Sequence, residues 1–288
     1  MSAIKTESNI CFIGGDERQI HAASALSTMT NLRIIVSGET FLPRHSQSIG
    51  PSVVYEENPI KALRASSTAI LPLPASIVES TVSFVDVIEE MKQKEGTVIA
   101  GKFSPYMLDL MEEENVHYAD LLNDESFNIK NAYITAEGAV HLAMNTLDAM
   151  LRDTRCIILG FGRIGMALGQ LLLSMGCRPT VYARRKEVRV LAREMGLYTM
   201  EKIDLNGSDI IFNTVPQRII SNDDLLELSG KRILIELASA PGGFDPDIAI
   251  GCSHNVINGR GLPGKYAPIS AGKAIAETVF SFLNQIHT

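Results

Sequence analysis

The 288-residue sequence lacks the features that mark several large classes of protein. It contains no apolar run close to the roughly 20 residues that a membrane-spanning helix needs. Its first ten residues lack the apolar segment and the small-residue cleavage site of a secretory signal peptide. We therefore expect a soluble protein inside the cell, with no membrane association.

Cysteine and positive charge are also sparse. The four cysteines, Cys11, Cys156, Cys177 and Cys252, include no CxxC pair, and the formal net charge is −7. Cysteines without such spacing favour a reduced, cytosolic setting and indicate no metal site. A net negative chain, whose basic residues occur in small groups, is unsuited to general nucleic-acid binding. No low-complexity tract or internal repeat is present.

One stretch in the second half of the chain carries the strongest functional pattern. The apolar segment 156–159 leads into three spaced glycines, Gly160, Gly162 and Gly165, and then into a helical pattern. The first glycine permits a tight turn, the second lets backbone N–H groups approach a pyrophosphate, and the third lets the helix sit close on the strand. A further apolar segment at 179–183 completes a β-α-β unit. The pattern predicts a dinucleotide site at the helix N-terminus.

The residues after the second strand of this unit indicate which dinucleotide is bound. An NAD site usually has an acidic residue about 20 positions past the glycines. Here the strand is followed by Arg184, Arg185 and Lys186. A guanidinium can pair with a 2′-phosphate, so we predict NADP as the cofactor. A solvated helix start is the alternative explanation of these three basic residues.

Strand candidates alternate with helical segments along the whole chain, which predicts an α/β fold with two doubly wound parallel-sheet domains. The segment 10–15 repeats the strand-glycine pattern in a weaker form that need not hold phosphate. The predicted domains are an N-terminal substrate-side domain (1–131, joined by a C-terminal helix, 268–288), a linking helix (132–152) and a Rossmann NADP-binding domain (153–267).

The predicted cofactor contacts combine the glycine turn with later strand exits, because ligands bind beyond the carboxyl ends of parallel strands. They are Gly160, Phe161, Gly162, Arg163, Ile164, Gly165, Ala183, Arg184, Arg185, Thr214, Val215, Pro216, Ala238 and Ser239.

Three further segments bear on function. A helical pattern runs from about Thr135 to Leu151, with Thr135 to Gly138 as a plausible cap and acidic first turn. His141 lies within it, although a lone helical histidine more often serves packing or lies on the surface. Ser104 follows a predicted strand and equally suits a helix N-cap. The segment 39–52 reads as a loop to which we assign no chemistry.

Several motifs, ordinary one by one, are specific in their order: Ile13–Gln19, Thr135–Ala139, Gly160–Gly165, Asn213–Pro216, Glu236–Gly243 and Gly261–Pro268. On these motifs the chain resembles, over nearly its full length, the A subunits of bacterial dipicolinate synthase. The resemblance implies NADP as cofactor, a cytoplasmic role in the mother cell during sporulation, and partnership with a flavoprotein-like B subunit. A homo-oligomer is also plausible.

The implied reaction is oxidation of a dihydrodipicolinate, formed by loss of water from 4-hydroxytetrahydrodipicolinate, to aromatic dipicolinate. Both carboxylates of this substrate need cationic or N–H partners, and a base must accept a proton. The candidates for binding the carboxylates are Arg18, Lys102 and Lys265. The candidate hydrogen-bond donors are Ser104 and Thr135. The candidate proton-handling residues are Glu137, His141 and Tyr266, and with Lys265 these form the predicted catalytic set.

Two other functions remain open. A two-domain 2-hydroxy-acid dehydrogenase has a similar build, but Ala238 to Ala240 stand where its arginine is expected, and His254 precedes the last short strand instead of following it. A non-catalytic NADP-binding subunit, working beside a redox-active partner, is the second alternative. Reduction of NADP by the purified chain with its substrate would distinguish it from an enzyme.

Overall fold

The computed structural model describes residues 9–42 and 52–286. The N-terminal segment that bears on a signal peptide, and residues 43–51 of the predicted loop, lie outside this described part. The chain divides into two compact units, a first unit of Met1–Lys130 with Ala267–Thr288 and a second unit of Asn131–Tyr266.

Strands and helices alternate through both units. The strands are β1 Ile10–Ile13, β2 Ile34–Ser37, β3 Val53–Tyr55, β4 Thr68–Ile70, β5 Thr97–Ala100, β6 His117–Asp120, β7 Cys156–Leu159, β8 Thr180–Tyr182, β9 Tyr198–Met200, β10 Ile210–Asn213, β11 Ile233–Glu236 and β12 Asn255–Asn258. The α-helices are α1 Glu17–Met29, α2 Pro59–Arg64, α3 Phe84–Lys92, α4 Pro105–Glu113, α5 Glu125–Thr146, α6 Arg163–Ser174, α7 Lys186–Glu194, α8 Asn222–Glu227, α9 Pro246–Gly251, α10 Leu262–Tyr266 and α11 Pro268–Ile286.

Within the described residues each unit has one six-stranded parallel sheet, and the two sheets share one topology. The first has the order β3-β2-β1-β4-β5-β6 and the second β12-β11-β10-β7-β8-β9. In each sheet the first strand of the unit lies centrally, where the direction of winding reverses: β1 pairs with both β2 and β4, and β7 with both β8 and β10. The predicted fold class, two doubly wound parallel sheets, is confirmed. Ligands of such folds bind beside the carboxyl ends of the central strands.

Apolar residues cover both faces of each sheet, because successive strand side chains point to opposite faces. In β1, Ile10 and Phe12 join one buried cluster whereas Cys11 and Ile13 join another. The strand β7 does the same in the second unit: Cys156 and Ile158 pack on one side, and Ile157 and Leu159 on the other. This double burial explains the continuous apolar runs of the central strands.

In the first unit α11 packs closely against α1. A Cβ added at Gly272 of α11 would lie 2.6 Å from the Arg18 carbonyl oxygen and 2.8 Å from the Ala22 backbone nitrogen. Only glycine allows this approach of the two helix backbones. The C-terminal segment is thereby built into the core of the first unit, where Ile275 and Val279 are buried with Ala23.

Three strands that the sequence pattern did not indicate are β3, β6 and β9. Each lies at an edge of its sheet. Their side chains are mostly exposed or half-buried, in contrast to the fully buried central strands. An edge strand is only partly buried, so its sequence need not form the continuous buried run that identifies a central strand.

The predicted linking helix has different limits in the structure. The helix α5 begins at Glu125 instead of about Thr135 and ends at Thr146 instead of Leu151. Its N-terminus is capped by Asp124, whose Oδ1 accepts from the Phe127 backbone N–H at 2.6 Å. The predicted cap at Thr135 is therefore wrong, because Asp124 supplies the capping acceptor well before it in the chain.

None of the helices in the described part of the chain combines the length and apolarity needed to cross a membrane.

Candidate functional site

The glycine turn between β7 and α6 gives each glycine a distinct role. Gly160 has φ +93°, and a Cβ there would lie 2.5 Å from Thr214 Oγ1. At Gly165 an added Cβ would lie 2.4 Å from the Gly160 carbonyl oxygen, so this glycine lets α6 pack onto the turn. At Gly162 an added Cβ would meet no atom within 4 Å. Gly162 thus leaves space beside the start of α6, as the approach of a ligand requires.

The N-terminus of α6 is not capped by a side chain. Its N-cap is Gly162, which makes no side-chain hydrogen bond, and Gly162 and Arg163 are exposed. The first backbone N–H groups of a helix lack partners within the helix and carry the positive end of its dipole. This twelve-residue helix therefore presents an anion-binding end to solvent.

A cavity of about 500 Å³ lies at this turn, at the carboxyl ends of β7, β8 and β10. It brings together most of the predicted cofactor contacts. Its lining residues are Gly160, Phe161, Gly162, Tyr182, Ala183, Arg184, Arg185, Val188, Thr214, Val215, Pro216 and Ile219. Tyr182, Val188 and Ile219 were not predicted, since nothing in their local sequence distinguishes them from ordinary core residues.

The other predicted cofactor residues do not line this cavity. Arg163 and Ile164 form the first turn of α6, and Gly165 packs beneath the turn against Gly160. Ala238 is buried and Ser239 exposed in the loop after β11.

The charge of the cavity suits an anionic ligand with an additional phosphate. Arg184 and Arg185 both line it and both are exposed. No Asp or Glu is among the described residues that line it. Where an NAD site needs a carboxylate to accept from the ribose hydroxyls, this cavity carries two guanidinium groups. The residues therefore fit a dinucleotide with a 2′-phosphate.

The equivalent turn of the first unit is filled by the protein itself. Asp16 caps α1 by accepting from the Arg18 backbone N–H, and its carboxylate pairs with the Arg18 guanidinium at 2.7 Å. A Cβ at Gly14 would lie 2.5 Å from Thr81 Oγ1, and one at Gly15 would lie 3.2 Å from Pro72 Cγ. Here a carboxylate occupies the helix N-terminus that α6 leaves to a ligand.

A buried carboxylate stabilises the loops beside the cavity. Glu236, 6% exposed, accepts from Asn213 Nδ2 at 2.7 Å and from the backbone N–H groups of Ala238 at 2.9 Å and Gly243 at 2.8 Å. Asn213 in turn donates to the Val215 carbonyl oxygen at 2.9 Å. Glu236 thus connects the loop after β11 with the turn that lines the cavity. No local pattern indicated this role, because the partners of Glu236 are brought together only by strand pairing.

Two of the predicted catalytic residues lie in contact. The ring centroids of His141 on α5 and Tyr266 on α10 are 5.0 Å apart, with an interplanar angle of 42°. The two helices approach at Gly138, where an added Cβ would lie 3.1 Å from Leu262 Cβ. Glu137 lies one turn before His141 and is exposed.

The remaining predicted catalytic residue, Lys265, is also exposed and precedes Tyr266 in α10. The glycine and proline residues of 258–266 predict a shaped loop from which Lys265 and Tyr266 project, whereas the structure places both residues on a short helix. The proline and glycine residues of 258–264 occupy the turn before this helix and its first residues.

The predicted substrate-binding residues differ in what they already bind. Arg18 donates from Nε and Nη2 to Asp16 and from Nη2 to the Leu73 carbonyl oxygen at 2.6 Å. Thr135 is 5% exposed, and its hydroxyl donates to the Asn131 carbonyl oxygen at 2.7 Å. Thr135 therefore lies inside α5 with its proton committed to the helix backbone, and the structure does not favour it as a substrate donor.

The two other predicted substrate residues follow β5. Lys102 is exposed, has φ +59°, and its backbone N–H donates to Asp120 Oδ1 at 3.2 Å. Ser104 caps α4: its hydroxyl oxygen accepts from the Met107 backbone N–H at 3.3 Å. The sequence had suggested a helix N-cap as the alternative to substrate binding for this residue.

Three of the four cysteines, Cys11, Cys156 and Cys177, are buried. All four are free thiols, and no group of three or more His, Cys, Asp or Glu side chains there is arranged to hold a metal ion. Burial raises the pKa of the Cys11 thiol to about 12 and that of Cys156 to about 11. These thiols therefore stay protonated and unreactive near neutral pH.

The sheet topology, the glycine turn and the basic cavity together define a doubly wound α/β protein with a candidate dinucleotide site. A model of the family described as "Pyridine nucleotide-disulphide oxidoreductase" matches residues 155–232, the segment that contains the turn and the cavity.

Similarity to particular proteins extends over the whole chain. The dipicolinate synthase A subunit of Bacillus subtilis (strain 168) is 27% identical over 290 residues, 96% of each chain. The crystal structure of the same subunit from Bacillus halodurans superposes with a TM-score of 0.85 at 24% identity, covering 98% of this chain and 99% of that one. The crystal structure of the Bacillus subtilis protein gives 0.83 at 25% identity, over 99% and 98%. The resemblance indicated by the motifs is confirmed, and the comparisons support an NAD(P)-binding, oxidoreductase-type role.

Proposed function

We propose that this protein is the A subunit of a dipicolinate synthase and that it oxidises a dihydrodipicolinate to dipicolinate with NADP as the hydride acceptor. The observation that carries the proposal is the cavity at the glycine turn, where an uncapped helix N-terminus and two exposed arginines face one space. The full-length similarity to dipicolinate synthase A subunits supports the choice of reaction.

In this proposal the chain binds the dinucleotide through its own charges and backbone. The N–H groups at the start of α6 hold the pyrophosphate in the space that Gly162 leaves. Arg184 and Arg185 pair with the 2′-phosphate. The turn Thr214 to Pro216 borders the ribose and nicotinamide side. When bound, NADP supplies a hydride acceptor at nicotinamide C4.

The protein's remaining task is to orient the substrate and accept a proton. The oxidation removes one hydride and one proton from the dihydro ring, and the aromatic pyridine ring that results favours the forward direction. We propose His141 as the proton acceptor, oriented by its contact with Tyr266, and Glu137 as the alternative acceptor one helical turn away. Lys265, beside Tyr266, is the proposed partner of one substrate carboxylate.

Arg18, Lys102 and Ser104 remain proposed substrate contacts. Asp16 already pairs with Arg18, so a substrate carboxylate would compete with that pairing. Lys102 is exposed. The product is a dianion like its precursor, so the same cations serve both.

The cofactor assignment is tested by titrating the purified chain with NADPH and with NADH, following nicotinamide fluorescence. We expect a strong preference for NADPH that is reduced in Arg184→Ala and in Arg185→Ala. Arg193→Ala is the matched control, because Arg193 is an exposed arginine of α7 that does not line the cavity. Equal binding of both dinucleotides by the wild-type chain would refute the NADP assignment, and binding of neither would refute the site.

The reaction is tested by supplying freshly generated substrate and NADP to the chain alone, and by following absorbance of NADPH and dipicolinate. Formation of both in equal amounts is expected. The second candidate function, a non-catalytic NADP-binding subunit, is favoured by the exposure of His141, the proposed proton acceptor. That function predicts tight NADP binding with no turnover until a B subunit, which we propose to be flavoprotein-like, is added.

A role in the mother cell of a sporulating bacterium follows from the proposed reaction and is part of the same proposal. Expression of the chain confined to sporulating cells is the observation expected, and equal expression during vegetative growth would contradict it.

A further inference from the structure

Arg189 differs from the other basic residues near the cavity because its guanidinium is buried. Its side chain is 11% exposed, whereas Arg184, Arg185 and Arg193 are exposed. Arg189 Nη1 donates to the Ala183 carbonyl oxygen at 2.8 Å and to the Arg184 carbonyl oxygen at 2.7 Å. Its charge is therefore directed at the backbone of the turn that leads from β8 into α7.

A carboxylate accompanies this buried charge. Arg189 Nη2 lies 3.3 Å from Oε1 of Glu201, which follows β9 and is largely exposed. A guanidinium removed from water needs such partners to offset the lost hydration. The carboxylate and two carbonyl oxygens together provide them, which explains how a charged residue is accommodated at this position of α7.

The two carbonyl groups that Arg189 binds belong to the residues that shape the basic end of the cavity. Ala183, Arg184 and Arg185 all line it. A carbonyl oxygen that turned toward the cavity would repel a phosphate. If the backbone of this turn were mobile, the side chains of the two exposed arginines would not start from fixed positions. Since one planar, rigid group binds both oxygens, the backbone of this turn is held in one orientation.

We propose that Arg189 is a specificity-determining positioning residue: it holds the backbone of 183–185 so that Arg184 and Arg185 receive a dinucleotide with a 2′-phosphate. It acts through the turn and does not itself contact the ligand. This inference rests on the proposed use of NADP and extends it to a residue outside the cavity lining.

The test compares binding of NADPH and NADH by the full chain carrying Arg189→Met, a side chain of similar length without donors. The expected result is a roughly tenfold rise in the Kd for NADPH, about 1.4 kcal/mol, with the Kd for NADH changed by less than about twofold. If Arg189 had a purely structural role, the variant would bind both dinucleotides more weakly by the same factor. That result would overturn the inference, as would any other outcome in which the ratio of the two Kd values is unchanged.

Two further variants separate positioning from charge and protect the test against misfolding. Arg193→Gln removes one positive charge from the exposed side of the same helix, and we expect its binding ratio to match wild type. If this variant loses NADPH affinity as much as Arg189→Met does, long-range charge explains the effect and the inference is wrong. Arg189→Lys keeps the cation and some donors. We expect this variant to fold and its preference for NADPH over NADH to fall about threefold. A Kd ratio equal to that of the wild-type chain would also count against the inference.

The wild-type measurement keeps the two proposals distinct. Absence of an NADPH preference in the wild-type chain would refute the proposed cofactor and, with it, the role of Arg189. A wild-type preference that persists in Arg189→Met would refute the role of Arg189 alone.

Discussion

The rings of His141 and Tyr266 lie in contact, with their centroids 5.0 Å apart, although 125 positions separate the two residues in the chain. Asn145 Nδ2 also lies 2.8 Å from His141 Nε2. The amide Nδ2 donates, so Nε2 is the accepting nitrogen of the ring. The two contacts restrict the orientation of the imidazole, and His141 can accept a substrate proton at Nε2 only in place of this hydrogen bond. The contact is the strongest structural argument for assigning proton transfer to this pair.

We predict that His141→Gln lowers kcat of the oxidation by about 100-fold, the scale of general-base catalysis, and leaves the Kd for NADPH unchanged. Tyr266→Phe keeps the ring contact and should lower kcat less. Steady-state kinetics together with nucleotide titration measure both effects. His117→Gln, an exposed histidine on β6, is the control. If Glu137→Gln abolishes turnover while His141→Gln does not, the assignment moves to Glu137.

The glycines of the turn offer a matched pair of substitutions. Gly162→Ala adds a methyl group that meets no atom within 4 Å, at a φ of −86° that alanine adopts readily. We predict an unchanged Tm and a large loss of NADPH affinity, because the methyl group occupies the space left for the pyrophosphate.

Gly165→Ala is expected to behave differently, since its Cβ would lie 2.4 Å from the Gly160 carbonyl oxygen. The strain should lower the free energy of unfolding by about 1–3 kcal/mol, measured by denaturant titration. Equal stability losses in the two variants would contradict the separate roles given to these glycines.

Glu236→Gln tests the buried network beside the cavity. A glutamine keeps one acceptor oxygen but places an NH₂ group where a backbone N–H now donates, so at least one donor loses its partner. We predict a loss of about 1–3 kcal/mol in unfolding free energy, with weaker NADPH binding because the Asn213 contact to Val215 loosens. Glu227→Gln, an exposed glutamate on α8, should change neither quantity.

Substrate recognition is tested by Lys265→Ala and Arg18→Ala. We expect Lys265→Ala to raise the KM for the dianionic substrate about tenfold without changing the KM for NADP, because an exposed cation adjacent to Tyr266 is lost. Arg18→Ala should raise it less, since Asp16 already pairs with this residue. Lys231→Ala serves as the charge control. An unchanged substrate KM in both variants would remove both residues from the substrate site.

The stability of the second unit should depend on pH through Asp209. Partial burial raises the pKa of this carboxyl, but the backbone N–H of Arg155 at 2.8 Å and its guanidinium outweigh that effect and hold the pKa below its usual value. A depressed pKa contributes stability above the unfolded-state pKa, and the contribution is lost as pH falls through the folded-state pKa.

We therefore predict that Asp209→Asn destabilises the protein at pH 7 by about 1 kcal/mol or less and that the difference from wild type shrinks below about pH 4. Urea unfolding at pH 7 and pH 3.5 measures it. Asp148→Asn, which removes an exposed carboxylate from another part of the chain, is the control. A difference between Asp209→Asn and wild type that stays constant over this pH range would contradict the assignment.

Local sequence patterns were sufficient for the parts of this protein that depend on local chemistry. The central strands β1, β7 and β10 are continuous apolar runs because both of their faces are buried, and such runs are visible without a structure. The glycine spacing at Gly160 to Gly165 reflects a single turn of backbone. These signals were enough to predict the fold class, which is confirmed, and to propose a dinucleotide site at the glycine turn.

Features that depend on partners distant in the chain follow only from the fold. The edge strands β3, β6 and β9 form because a neighbouring strand offers hydrogen-bond partners. The local sequences of these three strands do not indicate that pairing. The start of α5 was set by the side chain of Asp124, and not by the acidic motif at Thr135 that resembles a cap. In both cases a hydrogen bond, and not the local sequence pattern, decides where the element lies.

The same division applies to the candidate site. Arg184 and Arg185 could be selected from the sequence because three basic residues follow a strand of a recognisable β-α-β unit. The hydrogen bonds of Glu236, and those of Arg189 on which its proposed role rests, could not, because they join backbone atoms that come together only when the chain folds. Glycine spacing and the alternation of apolar segments, both visible in the sequence, predict the fold class, and together with charge they predict where an anion binds. The buried side chains that hold that site in shape are identified only in the folded chain, because their hydrogen bonds depend on three-dimensional proximity.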